Sequence, residues 1–366
     1  MFIKDIIQAI EEFAPPTYQE GYDNSGLQIG NLDDEAKGVL ISLDVTEAVL
    51  DEAMERGANM IVAHHPLLFS GLKQITGRNY IERIVRKAIK NDINIYACHT
   101  NLDNVRHGVN AKICEKLGLK NTTILSPMGG VLYKLFTYAP KDAADKVRDA
   151  LFAAGAGHIG AYSECSFSTD GQGSFRPGEG TNPAIGESEG ARETLDEVKI
   201  EVLMDKASRS RVLKALFAAH PYEEVAYEMI AIDNINQDLG AGMVGELVAP
   251  MNEPDFLAYL KENMHTTCVR HTPLLGKDVL KVAVCGGSGS FLLGNAIAAG
   301  ADVFVTGDFK YHQFFDADGK IVIADIGHYE SEQFTNEIFQ DIINEKFPNF
   351  ATLLSNLSTN PVNYFY

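Results

Sequence analysis

Two stretches far apart in this chain are written in nearly the same way, and that likeness constrains the fold more than any other feature. GVLISLD (38–44) is followed by a helical pattern and GANMIVAHH (57–65), and KVAVCGG (281–287) by a helical pattern and GADVFVTGD (300–308). Val39 and Gly57 are separated by the same interval as Val282 and Gly300, so each stretch reads as strand, helix, Gly-Ala turn, strand. The chain therefore carries a duplicated α/β unit. The apolar runs VLISL, MIVA, VAVC and VFV show little polar alternation, as central strands covered on both faces do. The predicted core is layered α/β/α.

Between the two copies the pattern changes. Residues 131 to about 233 read as strand (VLYKLFTYA), helix (AADKVRDALFAAG), strand (AYSECSF), a glycine-rich excursion from Thr169 to Gly190, strand (EVKIEVLM), helix (SRSRVLKALFAA) and strand (EVAYEMIAID). This is the split βαβ order of a ferredoxin-like α+β domain, with the excursion as a long surface hairpin or loop. The expected organisation is a core of residues 1–127 and 246–366 with residues 128–245 inserted into it. A length of 366 residues suits two such domains.

Charge and cysteine usage narrow the function. Fifty acidic against 31 basic side chains give a formal charge of −19, which repels a phosphate backbone and argues against nucleic-acid binding. Cys98, Cys114, Cys165, Cys268 and Cys285 form no CxxC pair, and their odd number and scatter fit a reducing cytoplasm better than a disulfide framework. No apolar run reaches membrane-spanning length, and the opening MFIKDIIQAIEEFAP reads as an amphipathic helix, not a secretory leader.

The chemistry-bearing residues cluster just after predicted strands, where open α/β sheets place their sites. His64 and His65 follow MIVA and precede Pro66, which ends the strand. Their side chains diverge, so they can serve two metals. Asp103 follows INIYACHTNL. His328 and Glu332 in GHYESE stand four apart and share a face as the chain enters a helix. Separately, these are turn histidines and a first-turn acid; together they form a ligand set for divalent ions. Three imidazoles and two carboxylates cannot close two tetrahedral sites, so an Asp or Glu bridge, or a shared water between ions roughly 3.5–4 Å apart, is the natural arrangement. Open positions then remain.

Around this set, His99, Asp44, Asp308 and His312 are candidates for orienting ligands or moving protons, with ordinary turn and cap chemistry as the alternative. His99 is the candidate catalytic residue. CGGSGS (285–290) could offer amides to a phosphate, but it matches neither GxGxxG nor GxxxxGK and reads better as a tight strand-to-helix turn. Ser288 and Ser290 lack the elbow pattern of a nucleophile. Cys98 and Cys285 read as packing, and His220, Glu223 and Glu224 in HPYEEVAYE as a helix-to-strand turn.

Taken together, YDNSGLQIG (22–30), AHHPLLF (63–69), CHTNLD (98–103), TGDFKYH (306–312) and GHYESE (327–332) resemble the NIF-three-like dinuclear-metal family, often named GTP cyclohydrolase I type 2 homologues. The resemblance runs in order over nearly the whole chain. It implies a duplicated, intertwined three-layer α/β/α core, with an inserted module of the PII and CutA type. It carries metal binding onto His64, His65, Asp103, His328 and Glu332, with Glu332 as the bridge, and implies a homohexamer. Many relatives have a second histidine beside the one matching His312, where Tyr311 and Gln313 stand in this chain.

Two functions fit. The first is a hydrolase that uses two divalent metal ions per chain, zinc foremost with iron or manganese as alternatives, on a small nucleotide-like or cyclic amide substrate, with His99 moving the proton. The second is a non-enzymatic metal carrier or sensor.

Overall fold

Each copy of the repeat folds as two parallel strands joined by a helix, and the two copies share one register. In the computed structural model, which describes residues 1–365, Val39 pairs with Met60 and Ile41 with Val62. Val282 likewise pairs with Val303 and Val284 with Val305. The offset is 21 residues in both.

The first sheet runs Gly26–Ile29, Asn94–Ala97, Met60–Ala63, Val39–Ser42, Thr352–Leu354. Its last four strands are parallel, and Gly26–Ile29 closes the edge antiparallel. The second sheet runs Arg270–His271, Val322–Asp325, Val303–Gly307, Asp278–Ser288, Asn236–Asn252, Lys120–Met128. The halves exchange strands: Thr352–Leu354, from the C-terminal half, pairs with Val39–Ser42, and Lys120–Met128, from the N-terminal half, joins the second sheet. This is the duplicated, intertwined arrangement expected.

Helices cover the sheets because their apolar residues recur at helical spacing. Glu47–Glu55 and Tyr80–Lys90 lay Val49, Leu50, Ala53, Ile84, Val85 and Ala88 against Leu40, Ile61 and Ile95. Thr46 and Asn79 cap them by accepting the backbone N–H of Val49 and Glu82. On the second sheet, Leu292, Leu293 and Ala296 pack on Ala283, Phe304 and Ile323. Helix Thr335–Lys346 packs on Val39–Ser42, on Thr352–Leu354 and on helix Val109–Lys116, which in turn packs on Asp278–Ser288. Every residue of VLIS, MIVA, NIYA, VFVTG and VIAD is buried. At roughly 1.5–3 kcal/mol per large aliphatic side chain removed from water, these strands and their helix contacts hold the layers together.

Residues 1–127 and 237–366 form one compact unit and residues 128–236 a second. Residues 237–245, expected within the insertion, belong to the strand Asn236–Asn252, whose Met243–Glu246 pair with Lys281–Val284. The second unit has the sheet order Ser166–Phe175, Glu193–Asp205, Leu132–Pro140, Tyr227–Ile232, with every neighbouring pair antiparallel. Helices Ala144–Ala153 and Arg209–Ala219 cover one face through Val147, Leu151, Val212 and Leu216. That strand order is the one a split βαβ pattern gives, but the second strand is Ser166–Phe175 in place of the expected AYSECSF (161–167), so the glycine-rich excursion from Thr169 begins as a strand paired with Glu193–Asp205. Among the described residues no helix is long and apolar enough to cross a membrane.

Candidate metal centre

Strand ends from both sheets deliver polar side chains to one cavity of about 1040 Å³. Asp44 follows Val39–Ser42, His65 follows Met60–Ala63, His99 and Asp103 follow Asn94–Ala97, Asp308 follows Val303–Gly307, and His328 and Glu332 follow Val322–Asp325. These are the carboxyl ends of parallel strands. His64 sits behind this lining and is fully buried.

Each ring is oriented from outside. His64 Nδ1 donates to the Cys98 carbonyl (2.9 Å), which can only accept, so its Nε2 faces inward as a lone pair. That Nε2 lies 3.6 Å from Asp103 Oδ1 and 3.7 Å from Glu332 Oε1. His65 Nδ1 meets Asp44 Oδ1 at 2.8 Å, and His328 Nδ1 meets Asp308 Oδ2 at 2.7 Å. Their Nε2 atoms are 3.2 Å apart, and Glu332 Oε2 stands 3.0 and 3.1 Å from them. His64 Nε2, Asp103 Oδ1 and Glu332 Oε2 are buried and make no well-directed hydrogen bond. Buried polar atoms left this way are costly unless a cation completes them. The donors fit a metal: imidazole nitrogens and carboxylate oxygens, with each Nδ1 fixed by an outer acceptor.

Among the described residues three groups of donors could hold an ion; one is His64, His65 and His99, and the other two share Glu332. His64, Asp103 and Glu332 could hold one ion, and His65, His328 and Glu332 another. Without a metal, protons supply the missing positive charge. Burial disfavours the His65 cation, but the carboxylates of Asp44 and Glu332 outweigh it and raise its pKa to about 10. Burial likewise opposes charging His328, and Asp308 and Glu332 raise it to about 11. Asp103 is pushed up to about 7 by burial and by the charge of Glu332. Burial would raise Glu332 as well, yet the surrounding imidazoles of His328, His64 and His65 hold it well below the usual carboxylate range.

His99 stands at the rim, its ring centroid 5.2 Å from that of His64 and 5.3 Å from that of His65. Its Nδ1 meets Asp23 Oδ1 at 2.8 Å. Burial would raise Asp23, but hydrogen bonds from His99 and Thr100 keep it ionised, far below its ordinary value. The sequence reading overlooked Asp23. It lies within YDNSGLQIG, and nothing local marks it, because its partner is 76 residues away.

Glycines make the room. A Cβ on Gly287, where φ is +59°, would lie 2.4 Å from Glu332 Oε1, and one on Gly307 would lie 2.8 Å from the His328 backbone nitrogen. The amides of Gly286, Gly287 and Gly289 donate to Asn110 Oδ1, Ser331 Oγ and Thr306 Oγ1. CGGSGS is thus a close-packed turn with three of its amides already taken, in keeping with the tight strand-to-helix turn its sequence suggested. Buried Asp325 ties the loops together, accepting from Phe309 N and Gly327 N and pairing with Arg270.

The remaining candidates separate. Asp44 and Asp308 hold ligand-candidate rings, while His312 is exposed, stacks on Phe315 and lies outside the cavity lining. Burial pushes the thiols of Cys98 and Cys285 far up, which keeps them protonated and inert. Both nitrogens of His220 are used, Nε2 by Tyr138 O on strand Leu132–Pro140 and Nδ1 by Tyr222 N in its own turn, and Glu223 accepts from Asn182 N.

The model of the family described as Duf34/NIF3 (NGG1p interacting factor 3) matches residues 1–361. A protein of Halalkalibacterium halodurans named GTP cyclohydrolase 1 type 2 homolog is 40% identical over 98% of this chain and 98% of its own. One of the same name from Bacillus subtilis is 39% identical over 99% of this chain and 98% of its own. The crystal structure of a Bacillus cereus protein related to NIF3 superposes with a TM-score of 0.87 at 40% identity, covering 100% of this chain and 99% of that one.

Proposed function

The chain belongs to the Duf34/NIF3 family, and we propose that it is a metal-dependent hydrolase of a small nucleotide-like or cyclic amide substrate. The ligands in this reading are His64, His65, Asp103, His328 and Glu332, holding two divalent ions with Glu332 shared, zinc foremost. What carries it is the inward-facing set of buried, unsatisfied donors at His64, Asp103 and Glu332 beside the His65–His328–Glu332 triangle. Such ions, when bound, bring the pKa of water toward neutrality and polarise a scissile group.

This chain's own residues supply the rest. Asp44 and Asp308 fix the tautomer of His65 and His328, so that Nε2 of each is the inward atom. Asp23 does the same for His99. His99 Nε2 thereby faces the cavity and can take a proton from the attacking water and return it to the leaving group. The name GTP cyclohydrolase 1 type 2 homolog belongs to the relatives, and a shared fold does not fix a shared reaction.

The test is elemental analysis of the purified chain followed by screening of metal-loaded protein against a metabolite pool. We expect bound divalent metal, product formation abolished by chelation, and His99→Ala lowering kcat while leaving metal content intact. Metal-loaded protein that forms no product above the chelated control would overturn the hydrolase reading; a metal content near zero after reconstitution would overturn the centre itself.

A further inference from the structure

The last described residues of the chain run back over the cavity. After Thr352–Leu354 has paired with Val39–Ser42, Ser355 N continues the ladder to Ile41 O, and the Ser355 hydroxyl and Asn356 N both bond Glu52. The chain is thus anchored just before it reaches the site. Thr359 Oγ1 then donates to Asp44 Oδ2 at 2.6 Å, on the oxygen that His65 does not use. Asn360 Nδ2 donates to Glu330 Oε1 at 3.0 Å, in the short helix His328–Glu332. Asn360, Pro361, Val362 and Tyr364 line the cavity.

Asp44 is partly exposed, with 34% of its side chain open to solvent, so packing alone does not fix its rotamer. Its carboxylate is held by two groups, the His65 ring at one oxygen and the Thr359 hydroxyl at the other. Removing the second hold leaves a carboxylate that can turn toward water, and the His65 ring loses its orientation with it. By contrast, His64 is oriented by a backbone carbonyl that no side-chain substitution removes.

We infer that Thr359, presented by the C-terminal tail, is a positioning residue for the metal centre, fixing Asp44 and through it His65. This rests on the metal reading above. It makes the tail a selective support for the ion bound by His65, His328 and Glu332, with no direct bearing on the His64 side.

The experiment is a cobalt(II) titration of the full chain against a competing chelator, followed by visible absorption. Thr359→Val keeps the shape and removes the donor; Thr359→Ser restores it. In the parent we expect two binding events. Thr359→Val should weaken one of them severalfold, less than the roughly ten- to a hundredfold that follows loss of the group bonded directly to a metal-bound histidine, which here is Asp44, and should alter the absorption of that ion only. Thr359→Ser should recover both affinity and spectrum. Parental affinity and spectrum in Thr359→Val would sink this inference alone. So would equal weakening of both ions accompanied by a lower Tm of the metal-free chain, which marks a general packing role. Absence of cobalt binding in the parent removes the metal reading and this inference with it.

Discussion

Among the described residues Glu332 is the carboxylate that belongs to two of the donor groups, and this predicts an asymmetry among single substitutions. Glu332→Ala should lose both ions, whereas His64→Ala or His65→Ala should mainly weaken one, as elemental analysis of each variant would reveal. Protonation gives a second prediction. A metal needs neutral imidazole, but the His65 and His328 pKa values near 10 and 11 keep both rings protonated across the neutral range in the metal-free chain. Binding must therefore release protons, and affinity must rise with pH between 6 and 9. Asp103, raised to about 7, adds to the loss at the acid end. Calorimetry in two buffers of different ionisation enthalpy counts the protons; a buffer-independent heat and a flat pH profile would contradict the scheme. At this scale the sequence was legible where chemistry sits beside a strand end, as at His64, His65, Asp103, His328 and Glu332. It was silent on Asp23 and Thr359, whose partners His99 and Asp44 lie far off in sequence, so that only the folded chain brings them together.

The repeat was legible among the elements because two buried parallel strands and their crossover leave a periodic trace, and the 21-residue offset recurs in the structure. The next crossovers diverge: Met60 pairs with Asn94 but Val303 with Val322, so no sequence repeat extends there. The strand exchange was not written in periodicity at all, since pairing partners such as Leu40 and Leu353 are chosen by three-dimensional packing. The glycines after strand Asp278–Ser288 show how an element's end serves the site. Gly287→Ala forces a side chain into a left-handed conformation and toward Glu332 Oε1. We expect a loss of about 1–3 kcal/mol from strain and overpacking, read as a lower midpoint in urea, together with a reduced metal content. In contrast, Gly294→Ala, in helix Leu293–Ala298, where an added Cβ meets nothing within 4 Å, should leave the metal content unchanged and raise the midpoint slightly, since alanine is the better helix former.

For the whole molecule, the inserted unit has a core of its own. Leu135, Val147, Leu151, Ile200, Val202, Val212 and Leu216 form a cluster confined to residues 128–236, and its four-stranded sheet closes on its own two helices. The cavity that gathers His65, Asp103, His328 and Glu332 is lined wholly by residues of the other unit. Chain continuity allows the two to be separated: within that other unit, an added Cβ at Gly240 would lie 2.8 Å from Pro127 Cα, so the strands flanking the insertion run side by side and a short turn can join them. Deleting residues 128–236 and joining the ends with a few glycines should therefore give a folded core that still binds metal, because the strands of its two sheets pair with one another and its ligand candidates all belong to that unit. The comparison is metal content and thermal unfolding of the deleted chain against the parent. A deleted chain that is folded but binds no metal, under conditions where the parent does, would mean that the insertion contributes to the centre and that the two units are not independent.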